Sequence, residues 1–173
     1  MGAILPLESS CLLIGVLCKD PSTLTGYMEK IKEFGEPGVI SPLIRFDFTD
    51  YYARSMGSPL LRRFYLSPPP FDRERLPDIK RRTNALERSA AEALDLGVER
   101  PLNLDPGYLS PSKLVLASTK DHAHRIYLRD GIHAEVTLHY RNKSYRPWPW
   151  TFPDYASEEY IRFFNDARMR MFK

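Results

Sequence analysis

All four histidines of the chain, His122, His124, His133 and His139, fall in one stretch, KDHAHRIYLRDGIHAEVTLHYR, from Lys120 to Arg141. Mixed with Asp121, Arg125, Tyr127 and Glu135, such side chains could hold a metal, move protons or bind an anion. Which chemistry is open depends on which residues face one another. If the stretch is a hairpin closed near Asp130-Gly131, two loop lengths compete. A two-residue loop would pair Leu128 with His133 and Ile126 with Glu135, mixing polar and apolar residues on both faces. A three-residue loop, Arg129-Asp130-Gly131 with Gly131 left-handed, sets Leu128 opposite Ile132, Ile126 opposite Ala134 and His124 opposite Val136. Its other face pairs Tyr127 with His133, Arg125 with Glu135, Ala123 with Thr137 and Asp121 with His139. This register separates polar from apolar residues and sets two opposite-charge partners across the ladder, so it is the expected one.

The histidines then divide. His133 and His139 lie on the polar face, His122 and His124 on the other. His122 and His124 form an H-x-H pair, but no Cys or His pattern supplies a third ligand, so neither a metal centre nor another cofactor is expected. On the polar face Asp121 would orient His139 as a general base, with Glu135 as a further acid–base group. Arg125, held by Glu135, would bind an anionic oxygen. The same residues also describe the ordinary solvated face of an antiparallel sheet, and both readings stand at this point.

Other candidates lie upstream. RPLNLDPGYLSPSK reads as a strand and an Asp-Pro-Gly turn that gathers Asn103, Asp105 and Lys113. The turn uses some of these for its own geometry, and the lysine beyond it could meet a phosphate. Arg45 and Asp47 share one strand face and should pair with each other. In YRPWPWTFPDY, prolines stiffen a segment carrying Trp148, Trp150, Phe152 and Tyr155, aromatics that more often cover a core than stack on a base or sugar. The phosphate loop G-x-x-x-x-G-K-[ST], the dinucleotide fingerprint G-x-G-x-x-G and the nucleophile elbow G-x-S-x-G are all missing from the sequence.

The elements that must position these residues alternate in type. CLLIGVLC (11–18) is short, apolar and bounded by turn residues, a buried strand. KDPSTLTGYMEKIKEFG is a helix capped by Asp20, with Pro21 at its first position and Gly35 at its end. VISPLIRFDF (39–48) and LLRRFYL (60–66) are strands, the first with Ile44, Phe46 and Phe48 inward. A helix from about Pro77 to Leu94 follows, then strands at 98–104 and 113–120, the hairpin, and an extended YRPWPW. A last helix is capped by Ser157, with Tyr160, Phe163, Phe164, Ala167 and Met171 as its buried stripe. The class is α+β: a ferredoxin-like β-α-β-β-α start, extended by an antiparallel sheet, with the C-terminal helix packed on it.

Bulk properties narrow the setting. At 173 residues, 43% apolar and 27% charged, the chain suits one globular domain spanning 1–173 rather than a disordered one. No apolar run approaches the ~20 residues of a membrane span, and the start lacks the basic n-region of a signal peptide, so no membrane partner is expected. The two cysteines, Cys11 and Cys18, lie on opposite faces of a strand and cannot bridge, which points to a reducing cytoplasm. A net charge of +3 is too weak to argue for nucleic acid by itself.

The blocks PLIRFDFTDYYARSMGSPLLRRF, IKRRTNALE, NLDPGYLSPSKLVLASTKDHAHRIYLRDGIHAEVTLHYR and YRPWPWTFPDY resemble an uncharacterised bacterial family, the domain of unknown function numbered four-four-one-six. The resemblance spans nearly the whole chain. Some members carry a GTP-binding label, which implies a nucleotide ligand, although no guanine-nucleotide motif is present here. The blocks concentrate polar side chains on strands, and this favours a ligand site over a plain scaffold. The expected function is therefore binding of an anionic small molecule, a nucleotide or phosphorylated metabolite, with or without catalysis. Asp121, Glu135 and His139 would be its acid–base groups. Arg45, Asp47, Asn103, Asp105, Lys113, Lys120, Arg125 and Tyr127 would be its binding groups. Two alternatives remain: a non-enzymatic RNA-binding module using arginines and aromatics, and an interaction domain docking through the RPWPW segment.

Overall fold

The computed structural model describes residues 2–172. Its centre is β1 (Cys11–Cys18), every residue of which is buried, so both faces of this strand must be covered. Leu12, Ile14, Val16 and Cys18 pack under two helices, α1 (Pro21–Lys32) and α3 (Leu76–Ala93). Cys11 and Leu13 face the opposite way, toward Tyr160, Phe164 and Ala167 of the C-terminal helix α4 (Glu158–Met171). The short α2 (Ala53–Met56) lies in the loop before β4. Local chemistry sets the helix ends. The Asp20 carboxylate accepts from the Ser22 amide ahead of Pro21, and the Ser157 hydroxyl accepts from the Tyr160 amide.

A nine-stranded antiparallel sheet surrounds β1. It is flanked by β4 (Leu60–Leu66) and β5 (Leu102–Leu109). The short β2 (Val39–Ile40) and β3 (Ile44–Phe46) both pair with β4. Beyond β5 come β6 (Lys113–Ser118), β8 (Ile132–Arg141) and β7 (Ile126–Arg129), with β9 (Ser144–Pro147) also on β8. The order is β2-β4-β1-β5-β6-β8-β7, an α+β arrangement with α4 packed on the sheet. No helix among the described residues is long and apolar enough to cross a membrane.

Three local expectations change. The strand expected over 39–48 is two pieces, interrupted where the Ser41 hydroxyl accepts from the Phe64 amide and Pro42 offers no N–H. Asp105-Pro106-Gly107 is not a turn but the middle of β5. There β5 and β6 pair only from Gly107↔Leu116 to Leu109↔Leu114, and before Gly107 the two strands part. Helix α3 serves the backbone that no strand pairs at the split: Glu87 accepts from the Leu104 amide (2.6 Å), and Lys80 donates to the Leu104 carbonyl (3.0 Å). Residues two apart on a strand present their backbone to the same neighbour, so the Pro106 nitrogen also faces the split, where it owes no ladder hydrogen bond. Gly107 marks the pinch. A Cβ at this position would lie 2.2 Å from the Val115 carbonyl oxygen.

The third change concerns the hairpin. Its turn is the two-residue Asp130-Gly131, both with positive φ (54° and 73°), flanked by Arg129↔Ile132. Leu128 bulges out, and this extra residue restores the expected pairs Ile126↔Ala134 and Tyr127↔His133. A second shift lies between β6 and β8: Leu114 pairs with Leu138 but Val115 with Val136, so Thr137 is the extra residue on β8. The alternation of faces reverses there. His133 and Glu135 are buried instead of solvated, while all four β7 residues are exposed. Between β7 and β9, the Trp150 indole donates to the Val136 carbonyl and the Thr151 hydroxyl to the Thr137 carbonyl, closing the outer edge of β8.

Candidate functional site: a cleft where the sheet splits

The parting of β5 from β6 opens a cleft of about 890 Å³, within the range of small-molecule sites. One wall is aromatic: Phe46 and Phe48 from β3 and the turn after it, then Tyr51 and Tyr52. The opposite wall carries Ser118, Thr119, Lys120 and Arg125, which end β6 and lead into β7. Helix α3 contributes Lys80, Asn84, Glu87 and Arg88. Tyr51 and Phe152 are exposed at the rim.

The floor is built on Arg62. Alternation along β4 places this arginine on the same face as Phe64 and Leu66, and its side chain is only 2% exposed. A guanidinium so buried needs anionic partners. It donates to Asp105 at 2.8 Å and, more weakly, to Asp154 at 3.4 Å. Gly15 makes room for it: a Cβ there would lie 3.3 Å from Arg62 Nη1 and 3.2 Å from the Tyr155 hydroxyl. From Asp105 the network runs outward. The Asn103 amide donates to the same Asp105 oxygen, and Arg100 bonds both Asn103 and Glu87.

These carboxyls differ in proton affinity. Burial raises that of Asp105, but Arg62, Lys80 and the Asn103 hydrogen bond outweigh it, so Asp105 ionises more readily than usual. Burial also raises Asp154, and there the distant Arg62 does not compensate while the Asp105 charge adds to the rise. Glu87 is likewise raised by burial, against the pull of Lys80. The two neighbouring aspartates are therefore shifted in opposite directions, Asp105 toward its charged form and Asp154 toward its protonated form. Burial pushes the Tyr52 phenol up to about 12, and burial also raises the Tyr155 phenol well above its ordinary value. Tyr155 also lines the cleft and its buried hydroxyl has no hydrogen-bond partner among the described residues.

A second buried group supports the cationic wall. Arg125 Nε and His124 Nε2 both reach the same oxygen of Glu135, Oε2, at 2.9 and 3.1 Å, while Thr137 donates to Oε1. Arg125 also donates to the Ser118 hydroxyl and the Lys120 carbonyl. Behind this group the rings of His124, Trp150 and Trp148 stack in sequence, with centroids 5.6 and 5.2 Å apart, and His139 meets Trp148 tilted at 36° with centroids 4.2 Å apart.

Of the residues singled out from the sequence, the cleft gathers Asn103, Asp105, Lys120, Arg125 and Glu135. The expected Arg125–Glu135 pair forms. The expected Asp121–His139 pair does not: residues 119–125 leave the ladder before β7 begins, and Asp121 meets His133 at 3.4 Å. His139 stacks on Trp148, with Lys113 and Arg146 as its cross-strand neighbours. Arg45 and Asp47 form an exposed ion pair at 3.6 Å, and Tyr127 is exposed against His133. None of Arg45, Asp47, Lys113, Asp121, Tyr127 or His139 lines the cleft. Sequence reasoning gave no role to Arg62, Lys80, Glu87, Arg100 or Asp154. Arg62 left one signal, a charged residue on the apolar parity of a strand. Among the described residues no group of three or more His, Cys, Asp or Glu side chains is arranged to hold a metal ion.

Comparison with curated proteins and with solved structures finds no match. A family model does match, over residues 8–171, and it takes in β1 through α4 and every residue of the cleft. The chain therefore belongs to the family described as Domain of unknown function (DUF4416).

Proposed function

We propose that the cleft binds a nucleotide-sized anionic molecule and that Asp154 exchanges a proton with it. The observation that carries this reading is the concentration of buried ionic groups around one opening. Buried ion pairs contribute little to stability, because desolvation consumes most of their attraction. A fold that places Arg62, Asp105, Asp154, Lys80 and Glu87 around a cleft obtains a preorganised polar surface instead. Lys120 and Arg125 would take the anionic group, the former near the rim, where its ammonium meets the Tyr51 hydroxyl rather than a carboxylate. Asn103 and Asp105 would take hydroxyl or amino groups, and the aromatic wall would take a planar ring. The tryptophan pair gives little support to the RNA-binding alternative, since Trp150 is already stacked against both His124 and Trp148.

The test is thermal stabilisation by guanosine and adenosine mono-, di- and triphosphates and by sugar phosphates, each at millimolar concentration. At least one should raise the melting temperature by several degrees, as mass action requires of a ligand well above its Kd. Lys120→Ala should reduce that shift, and Arg45→Ala, outside the cleft, should leave it intact. Equal shifts in both variants, or none with any compound, would overturn the proposal.

A further inference from the structure

We infer that His124 governs the affinity of the Lys120–Arg125 wall for a doubly charged oxyanion of the phosphoryl or sulfuryl type. The inference rests on the cleft being the ligand site and adds the residue that charges it. His124 does not line the cleft, so it is a positioning residue acting through Glu135 and Arg125.

The geometry is unusual in one respect: a single oxygen, Glu135 Oε2, receives both the Arg125 guanidinium and the His124 ring. A lone pair on His124 Nε2 would repel that oxygen at 3.1 Å, so Nε2 carries the hydrogen and donates it. With the imidazole neutral, the one negative charge of Glu135 is matched by Arg125, and Arg125 presents little net charge to the cleft. With the imidazole protonated, the same carboxylate is shared by two cations. Arg125 then faces the cleft as an uncompensated cation beside Lys120. A dianion gains from this twice over, and a neutral ligand not at all. The affinity for such an anion should therefore be higher at pH 5.5 than at pH 8.

The groups around His124 support this assignment. Glu135 and Arg125 meet it from β8 and from its own segment, and the His122 ring lies 5.7 Å away. On its other side is the Trp150 ring, 5.6 Å away and nearly parallel at 15°. The nearby acid Asp121 is engaged with His133. An imidazolium against an indole face is stabilised by the ring and also quenches its emission. The chain has only two tryptophans, so Trp148→Phe leaves Trp150 as the sole reporter of this contact.

The experiment uses inorganic sulfate, whose charge is constant from pH 5.5 to 8, on the Trp148→Phe protein. Two quantities are followed: Trp150 emission without ligand, and the sulfate Kd from thermal shift or emission titration. Emission should fall as pH drops, and sulfate should bind roughly fivefold or more tightly at pH 5.5 than at pH 8, within the usual range of coupling between sites. His124→Gln keeps an amide donor for Glu135 but cannot charge, so it should abolish both pH dependences while binding sulfate at pH 8 as the parent does. His139→Gln should leave the sulfate dependence in place. Equal sulfate affinity at the two pH values, or a pH dependence that survives His124→Gln, overturns the inference and leaves the cleft reading standing. If neither sulfate nor any nucleotide binds at either pH, the cleft reading falls and takes this inference with it.

Discussion

Two aspartates share one buried arginine, and at the scale of single residues this inequality sets the behaviour of the site. Asp105 is close to Arg62 and ionises readily; Asp154 is farther and holds its proton more strongly. An acid depressed in the folded state contributes stability above its unfolded pKa of about 3.9, and that contribution is lost as pH falls through the lower folded value. Asp105 is of this kind. An acid raised in the folded state contributes in the reverse sense, below about 3.9, and the contribution is lost as pH rises through the higher folded value. Asp154 is of that kind. Asp105→Asn should therefore cost about 3 kcal/mol at pH 7, because it strands a buried guanidinium. Asp154→Asn should cost about 1 kcal/mol or less, since Arg62 keeps its better partner. Relative to wild type, the latter variant should become more stable as pH rises above about 3.9, and the gain should stop once the folded Asp154 has ionised. Urea titrations from pH 4 to pH 8 measure both; equal costs at pH 7 would mean that Asp154 balances the Arg62 charge as fully as Asp105 does. Little of this was legible in sequence. Asp105 stood out as a turn residue, for the wrong reason, and Asp154 is brought to Arg62 only by a contact spanning 92 positions.

At the scale of elements, the unusual feature is a ladder that stops partway. Gly107 sits where β5 and β6 come closest, and Gly107→Ala would drive a methyl into the Val115 carbonyl. It should cost about 2 kcal/mol or more, as overpacking a tight contact does. Gly131 has open space around it but φ of 73°, so Gly131→Ala should cost only about 1 kcal/mol of backbone strain. Thermal melts of the two variants order these costs, and a smaller loss at Gly107 would show that the strands are not pinched there. The reading of elements from sequence succeeded where periodicity and caps agree: β1, β4, α1, α3 and α4 stand close to their expected bounds. It failed where one residue changes parity. Leu128 and Thr137 are ordinary strand formers, and nothing in their types marks them as bulges; yet the bulge at Thr137 sends Glu135 into the interior instead of to solvent. The Asp-Pro-Gly tripeptide misled for a similar reason. Its residues favour turns in isolation, and only the missing neighbour strand makes a proline and a close-packed glycine the fitting choice in mid-sheet.

At the scale of the whole molecule, helices cover both faces of the sheet around β1, and the ionic groups collect where that cover and the ladder are both interrupted. The core supplies stability, and the split supplies a place where charges can be buried yet reached. Pro106 gives the split a kinetic consequence. A strand edge bearing free N–H groups could zip shut onto its neighbour and would have to be pried open by each arriving ligand. The edge of β5 at Pro106 has no hydrogen to offer, and the backbone groups of Leu104 on the same edge are already bound by Lys80 and Glu87. The edge of β5 is thus kept from zipping shut at Pro106 by its covalent structure. In stopped-flow mixing, association with a nucleotide that binds should be a single phase whose rate grows in proportion to concentration, without the plateau that a gate waiting to open would impose.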